Sequence, residues 1–299
     1  MELINKILSA KSIYDVIPKA FSDDEATKAY HAIIKEIHPD VCKHIKAGEA
    51  MIKLNNLRSM STHGMQYTDD VCTIQYTEDH ITLTGKEEFI AKTYKWYNVL
   101  KQSKTYDVYK NYIPKDIVDL SATKLVYKID RRCVPLNTLC ATDITANNCI
   151  GQDHVNWILS RLLEFCVWCS INGVVHLGLN PDSVFITPKD HGIYVCTFYH
   201  MQKLGCAAKT ISTKYKAWYP YQLLSNKIAD TSIDIELAKK TALAILGDTS
   251  GAGVGLRGKI NNNALNYLLT YHTDIKKAYI SYRDMLSANF EKRFVPLDI

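Results

Sequence analysis

The stretch ATKAYHAIIKEIHPD, residues 26–40, decides the fold expected for the N-terminal part of the chain. Its apolar residues recur at intervals of three and four, which is typical of the buried face of an α-helix: Ala26, Ala29, Tyr30, Ile33, Ile34 and Ile37. Pro39 cannot continue such a helix, so the helix is predicted to end near Ile37. Ala50, Met51, Leu54 and Leu57 predict a second helix over about 47–59, antiparallel to the first.

The composition is that of a folded chain with a sizeable core. Of the 299 residues, 47% are hydrophobic and 22% are charged, which argues against general disorder and suggests about two domains. The formal net charge of +5 is mild and the lysines are scattered, so nucleic-acid binding is not indicated. No apolar run approaches about 18 residues, and the N-terminus lacks the apolar core of a signal peptide, so no membrane span is expected.

The nine cysteines lack the spacing of a disulfide framework, which predicts reduced thiols in the cytoplasm. Cys166 and Cys169 form a C-x-x-C within an apolar helical stretch, without a second cysteine pair or a histidine at ligand spacing. We therefore expect both thiols to be core residues and not zinc ligands or a redox pair. No metal or cofactor is expected in the chain.

The rest of the pattern mixes strands and helices, which predicts an α+β chain. Val71–Tyr76 and Ile81–Thr84 predict a hairpin. Thr84 and Glu87 predict a capping box for the helix that follows, whose expected buried face is Phe89, Ile90, Tyr94, Tyr97 and Leu100. Later elements are expected as a strand at Leu125–Tyr127, a helix ending near Asn172 and Gly173, and a strand pair near 184–198.

The region around the H-P-D tripeptide resembles the J-domain family. His38-Pro39-Asp40 ends the first predicted helix, eight residues after Tyr30. Further matches are Ile13-Tyr14-Asp15-Val16, similar to the family's opening helix, Ala29-Tyr30 in its second helix and Leu54-Asn55 in its third. The resemblance covers most of residues 12–58. It departs at Arg58, where the family commonly has an aromatic residue.

This resemblance implies a small helical domain that docks on a DnaK-type chaperone ATPase and stimulates it. The implied docking set is His38, Pro39, Asp40, Lys28, His31 and Lys35. The H-P-D residues carry the contact, and the three basic residues steer association towards an acidic face of the ATPase. A turn stiffened by proline suits this role because rigid groups lose little freedom on binding.

The stretch NGVVHLGLNPDSVFI, residues 172–186, resembles the catalytic loop of protein kinases. The residues CTFY at 196–199 stand where that family has D-F-G, and WYPYQLL at 218–224 is similar to its A-P-E region. Asp234 is expected to open an apolar helix like the central helix of the large lobe. The residues FEKRFVP at 290–296 look like the tail of kinase-like proteins that are fused to J-domains in bacterial viruses.

The chemistry of the kinase family does not survive this comparison. Phosphoryl transfer needs a carboxylate near the attacking hydroxyl and carboxylate or amide ligands for magnesium. The matching positions hold Gly178 for the catalytic aspartate, Asn180 for the lysine, Ser183 for the metal-binding asparagine and Thr197 for the D-F-G aspartate, with His176 and Asp234 at two structural positions. Asp182 is the carboxylate of the loop that could substitute. Lys92 could be the small-lobe lysine, but it is expected on a helix surface.

The sequence therefore predicts a J-domain at 1–65 and a bilobal kinase-like domain at 66–299, with a small lobe at 66–139 and a large helical lobe at 140–299. The favoured hypothesis is a cytoplasmic co-chaperone or adaptor whose pseudokinase domain binds an unknown client. A divergent kinase-like transferase and a virus-encoded decoy or inhibitor of a host chaperone, or of another host protein, stay open. The second domain could also be an unrelated α+β fold.

One further motif nearly matches a nucleotide-binding loop. Gly253, Gly258 and Lys259 have the P-loop spacing, but Ile260 replaces its Ser or Thr. A helix is expected before the motif, whereas a P-loop follows a strand. A plain loop between two helices is therefore expected.

Overall fold

The computed structural model describes residues 2–10, 12–18, 23–62, 65–140 and 150–297. Its contacts divide the chain into two compact units. One comprises Met1–Gln66 with Gln75–Glu78, and the other comprises Tyr67–Ile74 with Asp79–Asp298. The described residues contain both helices and strands, which confirms the α+β class.

The first unit is helical. Its helices are α1 (Glu2–Ser9), α2 (Asp23–Ile37) and α3 (Ala47–Thr62). The end of α2 at Ile37 and the start of α3 at Ala47 confirm the predicted helix pair. Their shared core is Ile4, Ile7, Ala10, Ile13, Val16, Ile17, Ile37, Ala47, Ala50, Leu54 and Leu57, with the rest of the predicted stripe of α2 packed against it and partly buried.

The expected opening helix at Ile13–Val16 is wrong in type. Only a single 3-10 turn forms there, at Ile13–Asp15, and α1 precedes it. Ser12 caps the turn by accepting a hydrogen bond from the Tyr14 amide, while Asp15 accepts one from the Ser12 amide. Pro18 follows closely, so the segment is too short to propagate an α-helix.

A five-stranded sheet comes next in the chain. Its strands are β1 (Met65–Thr68), β2 (Cys72–Tyr76), β3 (His80–Gly85), β4 (Asp116–Leu120) and β5 (Lys124–Lys128), in the order β1-β2-β3-β5-β4. The neighbouring β2 and β3 confirm the predicted hairpin, and β5 confirms the predicted strand at Leu125–Tyr127. β1 and β4 were not predicted.

Helix α4 (Glu87–Lys101) packs on this sheet, and two details of its prediction are wrong. Thr84 does not cap it, because β3 continues to Gly85 and the N-cap is Lys86, which makes no capping bond. Tyr94 is 42% exposed, since the buried stripe runs one position away from it. The buried residues are Ile90, Thr93, Trp96, Tyr97 and Leu100.

The remaining elements are mostly helical. They are α5 (Tyr106–Tyr109), β6 (Val134–Pro135), α6 (Gln152–Ile171), β7 (Val174–Val175), β8 (Val184–Thr187), β9 (Gly192–Val195), β10 (Gln202–Lys203), α7 (Tyr221–Asn226), α8 (Thr231–Ile245), α9 (Asn262–Leu269) and α10 (Ile275–Asn289). β8 and β9 confirm the predicted strand pair. Helix α6 ends at Ile171 with Asn172 as its C-cap, which confirms the predicted end near Asn172 and Gly173, and Gly173 has φ 67°. That positive φ suits glycine, as a helix C-terminus often requires.

Asp234 does not open α8, contrary to the prediction. The helix begins at Thr231 after the N-cap Asp230, which accepts a hydrogen bond from the Ser232 amide. Asp234 therefore lies at the end of the first turn and is 2% exposed. The predicted loop between α8 and α9 is present and contains one 3-10 turn, Val254–Leu256. In the described ranges, every helix is too short or too polar to cross a membrane.

Candidate functional site

The H-P-D residues form a tight, exposed turn at the end of α2. The His38 carbonyl accepts hydrogen bonds from the Val41 and Cys42 amides at 2.9 and 2.8 Å, which closes the turn. His38 Nδ1 accepts one from the Asp40 amide at 3.3 Å and lies 3.5 Å from Asp40 Oδ2. The His38 side chain is 42% exposed and the Asp40 side chain 87%. Both polar groups are therefore held in place while they face solvent.

Two polar contacts join α2 to α3. The Tyr30 hydroxyl donates to Asn55 Oδ1 at 2.7 Å, and the Arg58 guanidinium donates to Thr27 Oγ1 at 2.7 Å. The Arg58 guanidinium also lies 5.3 Å from the Tyr30 ring centroid. Arg58, the residue that departs from the J-domain pattern, thus links the two helices through polar contacts, which the sequence did not predict.

The three predicted steering residues all lie exposed on α2. Lys28, His31 and Lys35 are spaced by three and four residues, so they share one face of the helix. The His31 ring contacts the Tyr30 ring, with centroids 5.4 Å apart. The structure thus places the whole predicted docking set on the surface of one helix and the turn that ends it.

In the second unit, His176 is a buried structural residue. Its ring is 1% exposed, and Nε2 lies 2.7 Å from the Thr197 carbonyl oxygen. A carbonyl can only accept, so Nε2 carries the proton and Nδ1 is left to accept from the Gly178 amide at 3.2 Å. Burial lowers the pKa of His176 to about 3. The neutral ring therefore ties the loop at 176–183 to the segment that follows β9.

Asp234 ties the same loop to α8. Its Oδ2 accepts from the His176 amide at 2.7 Å and its Oδ1 from the Leu177 amide at 2.8 Å. Leu177 has φ 59°, a left-handed conformation that is unfavourable for leucine. The Tyr219 hydroxyl donates to the Leu177 carbonyl at 2.6 Å. Burial raises the pKa of Asp234 to about 7 against the opposing effect of its two amide donors.

The positions matched to catalytic residues are used to build the loop itself. Asn180 Oδ1 accepts from the Asp182 and Ser183 amides, and its Nδ2 donates to the Gly178 carbonyl at 3.0 Å. The Ser183 hydroxyl donates to the Asn180 carbonyl at 2.9 Å. A Cβ at Gly178 would lie 2.9 Å from His200 Cδ2, so this position has no room for an aspartate unless His200 moves.

Asp182 organises a cluster that the sequence did not reveal. Its side chain is 1% exposed, and Oδ2 lies 2.6 Å from Lys214 Nζ and accepts from the Tyr215 hydroxyl at 3.1 Å. Oδ1 accepts from the Asn137 amide group at 2.9 Å, and the Tyr67 hydroxyl donates to the Asp182 carbonyl at 2.7 Å. Both oxygens of this carboxylate are thus engaged by side chains of the protein itself.

A second carboxylate, that of Asp70, binds the segment at 212–215, which also contains Lys214 and Tyr215. Asp70, in the turn after β1, accepts from the Thr213 amide, from the Thr213 hydroxyl at 3.0 Å and from the Ser212 hydroxyl at 3.2 Å. The turn after β1 and residues 212–215 are thus fastened to each other and to the loop at 176–183. In the sequence, the acidic pair Asp69-Asp70 is visible, but no local pattern connects Asp70 with Thr213, which is 143 positions away.

The two cysteines of the C-x-x-C motif are core residues, as predicted. Cys166 and Cys169 are free and fully buried, and burial raises the pKa of both thiols. Within the described ranges, no group of His, Cys, Asp and Glu is arranged to hold a metal ion. Cys149 lies outside the described residues.

Two candidate phosphate-binding positions, Lys92 and the loop with Gly253, Gly258 and Lys259, lack the structural context that nucleotide binding requires. Lys92 lies on α4, with Nζ 5.2 Å from the Phe89 ring centroid. Gly253 and Gly258 belong to the loop that follows helix α8, where a P-loop would follow a strand. Neither position has the structural context of the phosphate-binding motif that it was compared with.

Comparison of the chain with protein-family models and with curated proteins finds no match.

Proposed function

We propose that this chain is a co-chaperone or adaptor whose first unit is a J-domain that docks on a DnaK-type chaperone ATPase. The observation that carries the proposal is the exposed His38–Asp40 turn on a braced helix pair. Its polar groups are fixed by local hydrogen bonds but are not satisfied by a core. Such pre-organised surface groups suit a partner, because little conformational freedom is lost on binding.

For the second unit we propose a kinase-like domain without phosphotransfer activity. Three positions singled out by the resemblance are 21 to 58 residues apart in the chain, yet they are joined by hydrogen bonds: His176, Thr197 and Asp234. These bonds support the kinase-like assignment of the loop. The absence of a carboxylate at Gly178, Ser183 and Thr197 supports the loss of metal and phosphate chemistry.

In this proposal, ATP is hydrolysed by the DnaK-type partner and not by this chain. The second unit then serves as the binding surface for a client. A DnaK-type partner would place the protein in the cytoplasm, in keeping with the free cysteines of the described residues.

The proposal is tested by single-turnover ATP hydrolysis by a purified DnaK-type ATPase in the presence of the full chain. Wild type should accelerate hydrolysis, and His38→Gln should abolish the acceleration. His44→Gln is a matched control, because His44 Nδ1 accepts from the Lys46 amide at 3.2 Å in the same way as His38 does from Asp40. The control should stimulate like wild type.

Equal stimulation by wild type and His38→Gln would contradict the J-domain assignment. A chain that binds the ATPase tightly but does not accelerate hydrolysis would instead support the decoy alternative. Reversing the charge at Lys35 should slow association, and the effect should be larger at low salt because screening weakens steering between exposed charges.

A further inference from the structure

Two large apolar side chains stand in solvent directly beside the H-P-D turn. Val41 is 70% exposed and Ile45 is 95% exposed, and both belong to the loop at 38–46 that joins α2 to α3. Apolar residues next to a helix start often fold back on the first turn of that helix. Ile45 does not do so here, although Ala50 in that first turn is fully buried. The loop therefore presents apolar surface that none of the described residues covers.

The charges near the two side chains carry both signs. From residue 35 to residue 49 the exposed charged side chains are Lys35, Lys43 and Lys46 against Glu36, Asp40 and Glu49. An apolar spot within a charged rim has the make-up of a protein–protein contact and therefore suits a partner protein. The same partner would receive His38 and Asp40, since these lie in the same loop.

We propose that Val41 and Ile45 form an apolar anchor that inserts into the docking face of the chaperone ATPase beside the H-P-D contact. This inference rests on the proposed J-domain function and adds a second element to the same interface. The H-P-D turn and the lysines supply orientation and steering, while the anchor supplies contact area that is removed from water. Anchors of this kind slow dissociation more than they speed association.

The experiment measures binding kinetics of the full chain on an immobilised DnaK-type ATPase at low and high salt. Ile45→Ser should weaken binding about tenfold or more, because burial of an isoleucine side chain contributes about 1.5–3 kcal/mol. Val41→Thr, which keeps the shape of the side chain, should weaken it by a smaller factor. Both losses should appear in the dissociation rate and should persist at high salt, whereas the loss caused by Lys35→Glu should shrink.

Ile52→Ser is the matched control. Ile52 is 62% exposed and lies on the face of α3 opposite Ala50 and Leu54, so it loses similar apolar surface outside the loop. It should bind like wild type, and all variants should keep the wild-type melting temperature because the altered side chains are exposed.

If Ile45→Ser and Val41→Thr bind the ATPase as tightly as wild type while His38→Gln loses stimulation, the anchor is overturned and the J-domain function stands. Failure of wild type to bind the ATPase would overturn both. A dimeric wild type that Ile45→Ser converts to a monomer would assign the apolar loop to a second copy of this chain and would also overturn the anchor.

Discussion

At the scale of single residues, the second unit uses its buried polar side chains to hold backbone in place. Asp234 and His176 fix a loop that includes a leucine at positive φ. Asp182 binds three side chains with one carboxylate. A catalytic carboxylate would need a free lone pair near a substrate, so these partners favour a structural role for Asp182.

Replacement of Asp182 by asparagine should destabilise the protein by about 2 kcal/mol. The substitution removes a buried negative charge whose neighbours are arranged to pair with a carboxylate. The loss should stay moderate because Lys214 is 49% exposed and can return to water. The measurement is urea unfolding. Asp119→Asn is the control, since Asp119 is 54% exposed and pairs with Lys124 at 2.9 Å, and it should cost less than about 1 kcal/mol. Equal losses would contradict the buried role.

His200 should make stability depend on pH. Burial lowers its pKa to about 4, so between about 6.5 and 4 the unfolded chain binds more protons than the folded chain. The stabilisation is fully present above pH 6.5 and is lost as the pH falls through this window. In His200→Gln the decrease in unfolding free energy from pH 7 to pH 5 should be smaller by about 2 kcal/mol than in wild type.

The comparison with wild type is needed because Asp234, with a pKa raised to about 7, acts with the opposite sign. Its folded state binds more protons than the unfolded state, so its contribution to stability grows as the pH falls. An unchanged pH dependence in His200→Gln would show that folding does not lower the pKa of His200.

At the scale of elements, the helix pair α2 and α3 is joined by apolar packing on one side and by polar contacts near the surface. The apolar side follows from the periodic stripe of α2, whose last residue, Ile37, is 1% exposed. The polar contacts, Tyr30 with Asn55 and Arg58 with Thr27, set how the two helices meet. They therefore help to hold the two helices together.

The hydrogen bond between Tyr30 and Asn55 should contribute a coupling free energy of about 1 kcal/mol. A double-mutant cycle with Tyr30→Phe and Asn55→Ala measures it, with hydrogen exchange of the α2 amides as the probe of this unit. Tyr94→Phe is the control, because Tyr94 is 42% exposed on a different helix. Strictly additive effects of the two changes would show that the pair does not interact in solution.

At the scale of the whole molecule, the proposal separates a unit that recruits an ATPase from a unit that has lost its own chemistry. The full chain should therefore gain almost no thermal stability from ATP and magnesium at millimolar concentration. A ligand at 100 times its dissociation constant adds about 2.7 kcal/mol, which corresponds to a shift of roughly 5–10 °C for a domain of this size. ATP with a chelator is the control.

A magnesium-dependent shift of several degrees would contradict the loss of phosphate chemistry and favour the kinase-like transferase. Gly178→Asp should not restore nucleotide binding or transfer. It should lower the melting temperature instead, because its Cβ would press on the His200 ring.

The sequence by itself determined the helix pair of the first unit, the H-P-D turn between its helices, the hairpin, the strand pair and helix α6. These features follow from apolar periodicity and from residues such as Pro39 and Gly173, which act over a few neighbouring positions. Two predicted helix starts were wrong. Thr84 does not cap α4, because β3 continues to Gly85, and α8 does not start at Asp234, because Asp230 caps it earlier.

Only the tertiary structure decided what the buried polar residues do. Asp182 with Lys214, Asp70 with Thr213 and Asp234 with the His176 amide join positions 32 to 143 residues apart. Each pairing depends on how strands and helices bring distant loops together, and the local sequence contains no periodic signal for it. The 95% exposure of Ile45 is likewise visible only in the tertiary structure.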